Sequence, residues 1–150
     1  MTNIKELKSN LNNVLTRTYD AIEGYDLASE NAEDPAMETF FKRHANTRRR
    51  FAEELTGAVS TLGGEPVDSG SFKASLHRTW MNLKDMVSSN ETEKMIEEAI
   101  RGEEAAIKEY NEILDSDTPN PESINLIMRR QRTDIEAALT TLRGVLAVAE

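Results

Sequence analysis

At 150 residues with no cysteine, the chain has the length of one domain, enough to bury a real core, and it is excluded from disulfide and thiolate-metal chemistry. A formal net charge of −9 opposes phosphate backbones and anionic lipid, so neither nucleic acid nor a membrane surface is an expected partner. The opening Met1-Thr2-Asn3-Ile4-Lys5-Glu6-Leu7-Lys8 lacks a signal peptide's apolar run, and nothing approaches the roughly 18 to 20 apolar residues of a membrane span, so a cytoplasmic protein is expected.

Apolar residues near the 3.5-residue spacing of a bundle seam predict a first helix from about Ile4 to about Glu30. Its stripe includes Leu7, Leu11, Val14, Leu15, Ile22, Tyr25 and Ala28. Asp34-Pro35 starts a second helix: the Asp accepts from free N–H groups, and Pro at the first helical position has no N–H to leave unpaired. Its stripe runs from Met37, Phe40 and Phe41 to Phe51, Leu55, Ala58, Val59 and Leu62, and Gly63-Gly64 ends it.

Glu65 to Gly70 reads as a turn-rich linker. A short helix is expected from about Ser71 to about Val87, with Trp80 anchoring it on the bundle and His77 as a polar neighbour. Ser88-Ser89-Asn90 breaks it, and Glu91 opens a third long helix with Met95, Ile96, Ala99, Ile100, Ala106, Ile107, Tyr110, Ile113 and Leu114 inward. Tyr19, Tyr25 and Tyr110 read as core-edge residues. After the loop from Asp115 to Asn120, Pro121-Glu122 opens the last helix, with Ile124, Ile127, Met128, Ile135, Ala138, Leu142 and Leu146 inward. No useful β-pattern occurs. The fold class is therefore all-α: one domain over residues 1–150, an antiparallel four-helix bundle with a short helix before the third long one.

From Glu91 to Asp115 there are nine acids and three bases; from Pro35 to Leu62 there are three acids and five bases. Arg129, Arg130 and Arg132 lie on the last helix. This pattern predicts an acidic third helix lying between two mildly basic ones. The run Arg48-Arg49-Arg50 points three ways on a helix, so it reads as a solvated face and not as an anion site.

The second, third and fourth helices break their stripes near the middle with polar residues. The second reads Phe41, His44, Arg48, Phe51; the third Ala99, Glu103, Ala106; the fourth Met128, Gln131, Ile135. In an up-and-down bundle helix midpoints share a layer, which predicts a buried network of Arg48, Glu103 and Gln131 with His44 one turn away. The first helix offers Thr18 and Tyr25 to that layer, with Asp20 and Glu23 beside it. A buried charge persists only if paired, and arginine's five-donor fork can serve two partners. The alternative is a metal site, iron or another divalent ion, on the inward carboxylates Glu23, Glu54 and Glu103 with His44. Di-metal bundles take a Glu from each of two helices and a Glu-x-x-His from each of the other two. No Glu-x-x-His exists in this chain: Phe41 precedes His44 by three, and Ala74 precedes His77. Catalytic nucleophiles find no support either, since there is no Gly-x-Ser-x-Gly elbow, no triad context for the histidines, and no phosphate loop at Gly63-Gly64.

Leu62-Gly63-Gly64-Glu65-Pro66, then Asp68-Ser69-Gly70-Ser71, then Ser75-Leu76-His77-Arg78-Thr79-Trp80 are similar to the core motif of an uncharacterised bacterial family. So are Gly24-Tyr25, Arg48 with Phe51 and Leu55, Arg101-Gly102-Glu103, and Tyr110. That family is a domain of unknown function described as a ferritin-like four-helix bundle, and the resemblance covers nearly the whole chain. It implies the ferritin-like fold and a bacterial cytoplasmic origin, and it supplies no activity. Two functions are left: a non-enzymatic, cofactor-free bundle acting structurally, in stress or as a homo-oligomer, and a metal-binding bundle.

Overall fold

The computed structural model describes residues 3–70, 89–117 and 119–149. Four helices carry the chain: α1 (Ile4–Asn31), α2 (Pro35–Thr61), α3 (Ser89–Leu114) and α4 (Glu122–Ala149). No strand occurs among the described residues. The short helix expected from Ser71 to Val87, with His77 and Trp80, lies outside them. The described part of α3 includes Ser89 and Asn90, so these two residues belong to the helix and do not break the chain before it.

Local chemistry sets the helix ends. Asn3 caps α1 by accepting from the Glu6 N–H at 3.1 Å, and its amide donates to the Glu6 carboxylate at 3.1 Å. Asp34 accepts from the Ala36 N–H at 3.0 Å, with Pro35 in the first turn of α2. Gly63, at φ +80°, closes α2: its N–H reaches the Ser60 carbonyl at 2.9 Å, and that of Gly64 reaches Val59 at 3.0 Å. This is the paired bonding of a Schellman cap, which needs the left-handed conformation glycine adopts freely. Across the α3–α4 loop, the Asn120 amide donates to the Ile113 carbonyl at 2.9 Å.

The helices pack as two hairpins, α1 on α2 and α3 on α4, joined face to face by α1 on α3 and α2 on α4. Neighbours are antiparallel throughout. Leu7, Leu11 and Val14 at the start of α1 share a core cluster with Phe51, Leu55 and Val59 of α2 and Tyr110 and Ile113 of α3. At the other end Tyr25 and Ala28 meet Phe41 and Ala45, Met95 and Ile96, and Leu142. It follows that α2 and α3 point the same way and occupy opposite corners. The chain order round the bundle is α1, α2, α4, α3, not the simple up-and-down order.

This arrangement corrects the expectation that acidic α3 lies between α2 and α4: its neighbours are α4 and α1. Although α1 is itself mildly acidic, it supplies Arg17, whose Nε reaches Glu109 of α3 at 3.2 Å. Arg143 of α4 reaches Glu104 of α3 at 3.3 Å. Both pairs are solvent-exposed and contribute little.

Parallel α2 and α3 are joined by a long connection, as in folds with one crossover, and its described part, residues 62–70, runs along α1. The Asn12 amide donates to the Glu65 carbonyl at 3.0 Å, and its carbonyl oxygen accepts from the Val67 N–H at 3.0 Å. Two turns further, Gly70 passes so close to α1 that a Cβ there would lie 2.2 Å from Asp20 Oδ1.

Candidate polar site at the bundle centre

Each helix contributes one buried polar residue to the interior, and among the described residues these are the four: Thr18 on α1, Arg48 on α2, Glu103 on α3 and Gln131 on α4. Each sits between apolar residues of its helix's inner face, so burial is imposed by the neighbours. Thr18 satisfies itself, donating its hydroxyl to the Val14 carbonyl one turn back at 2.8 Å.

Arg48 and Glu103 are 3% and 2% exposed. They form a two-pronged pair across the bundle diagonal: Nη1 donates to Oε2 at 3.0 Å and Nη2 to Oε1 at 2.6 Å. The planar fork matches the carboxylate and leaves neither oxygen without a donor. Burial alone would lower the proton affinity of the Arg48 guanidinium, but the adjacent Glu103 carboxylate outweighs it and holds the group above its ordinary range. Its Cζ also lies 5.4 Å from the Phe51 ring centroid, within cation–π distance. The other two arginines of the run, Arg49 and Arg50, are exposed, and Arg49 pairs with Asp26 of α1.

Gln131 does not share the Arg48 fork. Its Nε2 donates to the Glu54 carboxylate at 3.1 Å and, more weakly, to the Phe51 carbonyl at 3.5 Å. Its Oε1 accepts from the Tyr110 hydroxyl at 2.5 Å. The expected three-residue network is therefore two: an ionic pair linking α2 to α3, and an amide–phenol–carboxylate chain linking α3, α4 and α2. The reason lies in the partners: both Arg48 Nη groups are taken by Glu103, while the Gln131 amide reaches Glu54 and Phe51 and its oxygen accepts from Tyr110. Tyr110, read from sequence as a core-edge residue, is 2% exposed; burial lifts its phenol above the ordinary range.

His44 is half-buried and packs its ring against Phe40 at 4.3 Å and Tyr25 at 5.5 Å between centroids. Burial lowers its pKa, with Arg48 and Arg43 adding to the effect and Glu103 opposing it. Tyr25 is 3% exposed, and among the described residues its hydroxyl is the buried side-chain polar atom without a hydrogen-bond partner. It lies near enough to Glu103 for the carboxylate to act on it, and each carboxylate oxygen keeps a lone pair beyond its bond to Arg48, but no contact closes to hydrogen-bonding distance. Burial first, and Glu103 second, hold the Tyr25 phenol far above its ordinary range, so it is a proton donor.

The candidate metal donors do not converge. Glu23 is exposed on α1, Glu54 is at the surface and engaged by the buried Gln131 and by Arg130, and Glu103 is held by Arg48. Among the described residues no three His, Asp or Glu side chains come together as a metal site would require. Among the described residues the donor set does not fit a di-metal centre: the inward carboxylate is already matched by a buried cation.

A cavity of about 250 Å³ opens between α1 and α3 beside this layer. Its walls use small residues at helical spacing, Ala21 and Gly24 on α1 and Ala99, Gly102 and Ala106 on α3. That spacing is visible in the sequence, but small residues there read equally well as close packing.

Four long helices with one crossover and an inward polar layer define a ferritin-like bundle. Over 97% of its length the chain superposes on 87% of a dodecameric thioferritin, the bacterioferritin-related protein from Bacteroides fragilis, with a TM-score of 0.78 and 20% sequence identity. The chain belongs to the family described as domain of unknown function DUF2383, which it matches over residues 6–116. No curated protein matches it in sequence.

Proposed function

We propose that this chain is a non-enzymatic member of the ferritin-like class, in which an internal guanidinium supplies the positive charge at the bundle centre and no metal is resident. The observation that carries this reading is the two-pronged pair between Arg48 and Glu103, which commits the inward carboxylate to a fixed organic cation. Arginine repels a metal ion, and the remaining candidates, Glu23, Glu54 and His44, are each turned to other surroundings. The role left to such a bundle is structural, through self-association. The dodecameric assembly of the Bacteroides fragilis protein supports looking for homo-oligomers in the cytoplasm, and no described helix is long and apolar enough to cross a membrane.

The test is elemental analysis of protein purified without chelator and then exposed to ferrous iron in air. The expected result is far less than one metal per chain and no absorption from a ferric centre. Stoichiometric, retained iron would overturn the reading. Light scattering then tests self-association: a particle mass several times the 16.8 kDa chain is expected, and a monomer at all concentrations would remove that part of the proposal.

A further inference from the structure

The cavity between α1 and α3 has features of a ligand site that the closed ion pair does not explain. It extends from the exposed Arg17 and Arg101 at the surface to the buried Tyr25 and Tyr110, with Arg48 and Glu103 as its floor. At about 250 Å³ it exceeds the roughly 150 Å³ apolar cavity that suffices for a benzene ring. Its charged lining residues balance, three bases against three acids: Arg17, Arg48 and Arg101 with Asp20, Glu98 and Glu103. Within that set Arg48 pairs with Glu103 and Arg101 with Glu98, Arg17 pairs with Glu109 just outside, and Asp20 is engaged as well. An ionic guest would have to displace one of these contacts. The wall is otherwise mostly aliphatic, and it presents one unengaged donor, the Tyr25 hydroxyl. A buried donor left unpaired costs free energy, so a guest that accepts from it gains what water at the surface cannot supply there.

We propose that this cavity binds a small, uncharged, largely apolar molecule of about one aromatic ring that bears a hydrogen-bond acceptor, and that Tyr25 donates to that acceptor. Small size follows from the volume, neutrality from the balanced lining, and the acceptor from the unpaired phenol. The inference goes beyond the structural role proposed above and does not depend on it, because the guest sits beside the ion pair and leaves it intact.

Four probes of similar size test this by NMR titration of the full chain: acetophenone, ethylbenzene, benzoate and benzylamine. Acetophenone is expected to bind saturably, with shifts confined to the cavity lining, chiefly on α1 and α3 together with Arg48 and Ile135. Ethylbenzene, lacking the acceptor, should bind about five- to tenfold more weakly, the effect of one net hydrogen bond. The charged pair should not bind. Tyr25→Phe should bring acetophenone down to ethylbenzene, and Ala106→Leu should abolish both by filling the cavity. Should Ala106→Leu fail to fold, Tyr25→Phe alone decides the acceptor. No saturable binding, preference for a charged probe, or equal affinity for acetophenone and ethylbenzene in the unmodified chain would overturn the proposal. Undiminished acetophenone binding in Tyr25→Phe would do so too. None of these outcomes bears on metal content, so failure here leaves the structural reading standing.

Discussion

Helix α1 packs against two neighbours in two different ways. Towards α2 it presents Leu11, Leu15 and Tyr25 to Phe41, Phe51 and Leu55, large side chains that fill the space between the axes. Towards α3 it presents Ala21 and Gly24 to Ala99, Gly102 and Ala106, and a cavity remains. Within one bundle, then, side-chain volume decides which face is a core and which is a cleft, and polar residues collect beside the cleft. Filled faces respond to any change in volume, whereas open ones do not.

The largest effect is expected at the boundary between the two faces. Glu103→Ala leaves the Arg48 guanidinium buried and unpaired, and breaking such pairs costs about 3 to 5 kcal/mol. Chemical denaturation would measure it. The double replacement Arg48→Met with Glu103→Leu should cost much less than either charge-stranding single change, because nothing is left unpaired. If the double is as damaging as the worse single, the pair does more than neutralise itself.

Next come matched enlargements. Ala45→Leu, at a fully buried position away from the cavity, should cost about 1 to 3 kcal/mol by overpacking. Ala106→Leu, on the cavity wall, should be close to neutral. Equal costs would show that the α1–α3 face is as full as the α1–α2 face. Smaller again is Tyr110→Phe, which removes the donor to Gln131 and should cost about 1 to 2 kcal/mol by leaving the amide oxygen unsatisfied.

The mildest effect is pH-dependent. The folded pKa of His44 lies below that of the unfolded chain, which is near 6.5. As pH falls below that value the unfolded state takes up the proton first, so stability should drop until the folded pKa is also passed. His44→Phe should flatten this part of the stability profile while leaving the carboxylate-driven loss at lower pH. An unchanged slope between pH 6.5 and 5 would show that other groups carry it.

The helices were legible because their caps are strong and local. Asp34-Pro35 and Gly63-Gly64 act within a turn, and period 3.5 marks the inward stripes without knowledge of the partner. The order round the bundle was not legible. Charge asymmetry suggested α3 between α2 and α4, but exposed pairs are too weak to dictate neighbours, and the crossover fixed along α1 by Asn12 overrides them. Arg48, Glu103 and Gln131 stand out in sequence as breaks in apolar stripes. Their partners do not, because a stripe records which way a side chain points and not which donor reaches it first. Glu54 was conspicuous as a carboxylate, yet nothing in its spacing shows that it would accept from Gln131.

The diagonal placement of Arg48 and Glu103 bears on how one hairpin sits along the other. Helices α2 and α3 belong to different hairpins and do not touch along their backbones, so a slide of one hairpin along the other by one turn, about 5.4 Å, would carry the two charges apart. A two-pronged guanidinium–carboxylate contact does not tolerate it: each charge would be left buried without its partner. The pair therefore acts as a register pin, penalising alternative alignments more than it stabilises the correct one, and removing both charges together should yield a bundle that is stable but less singular in its alignment.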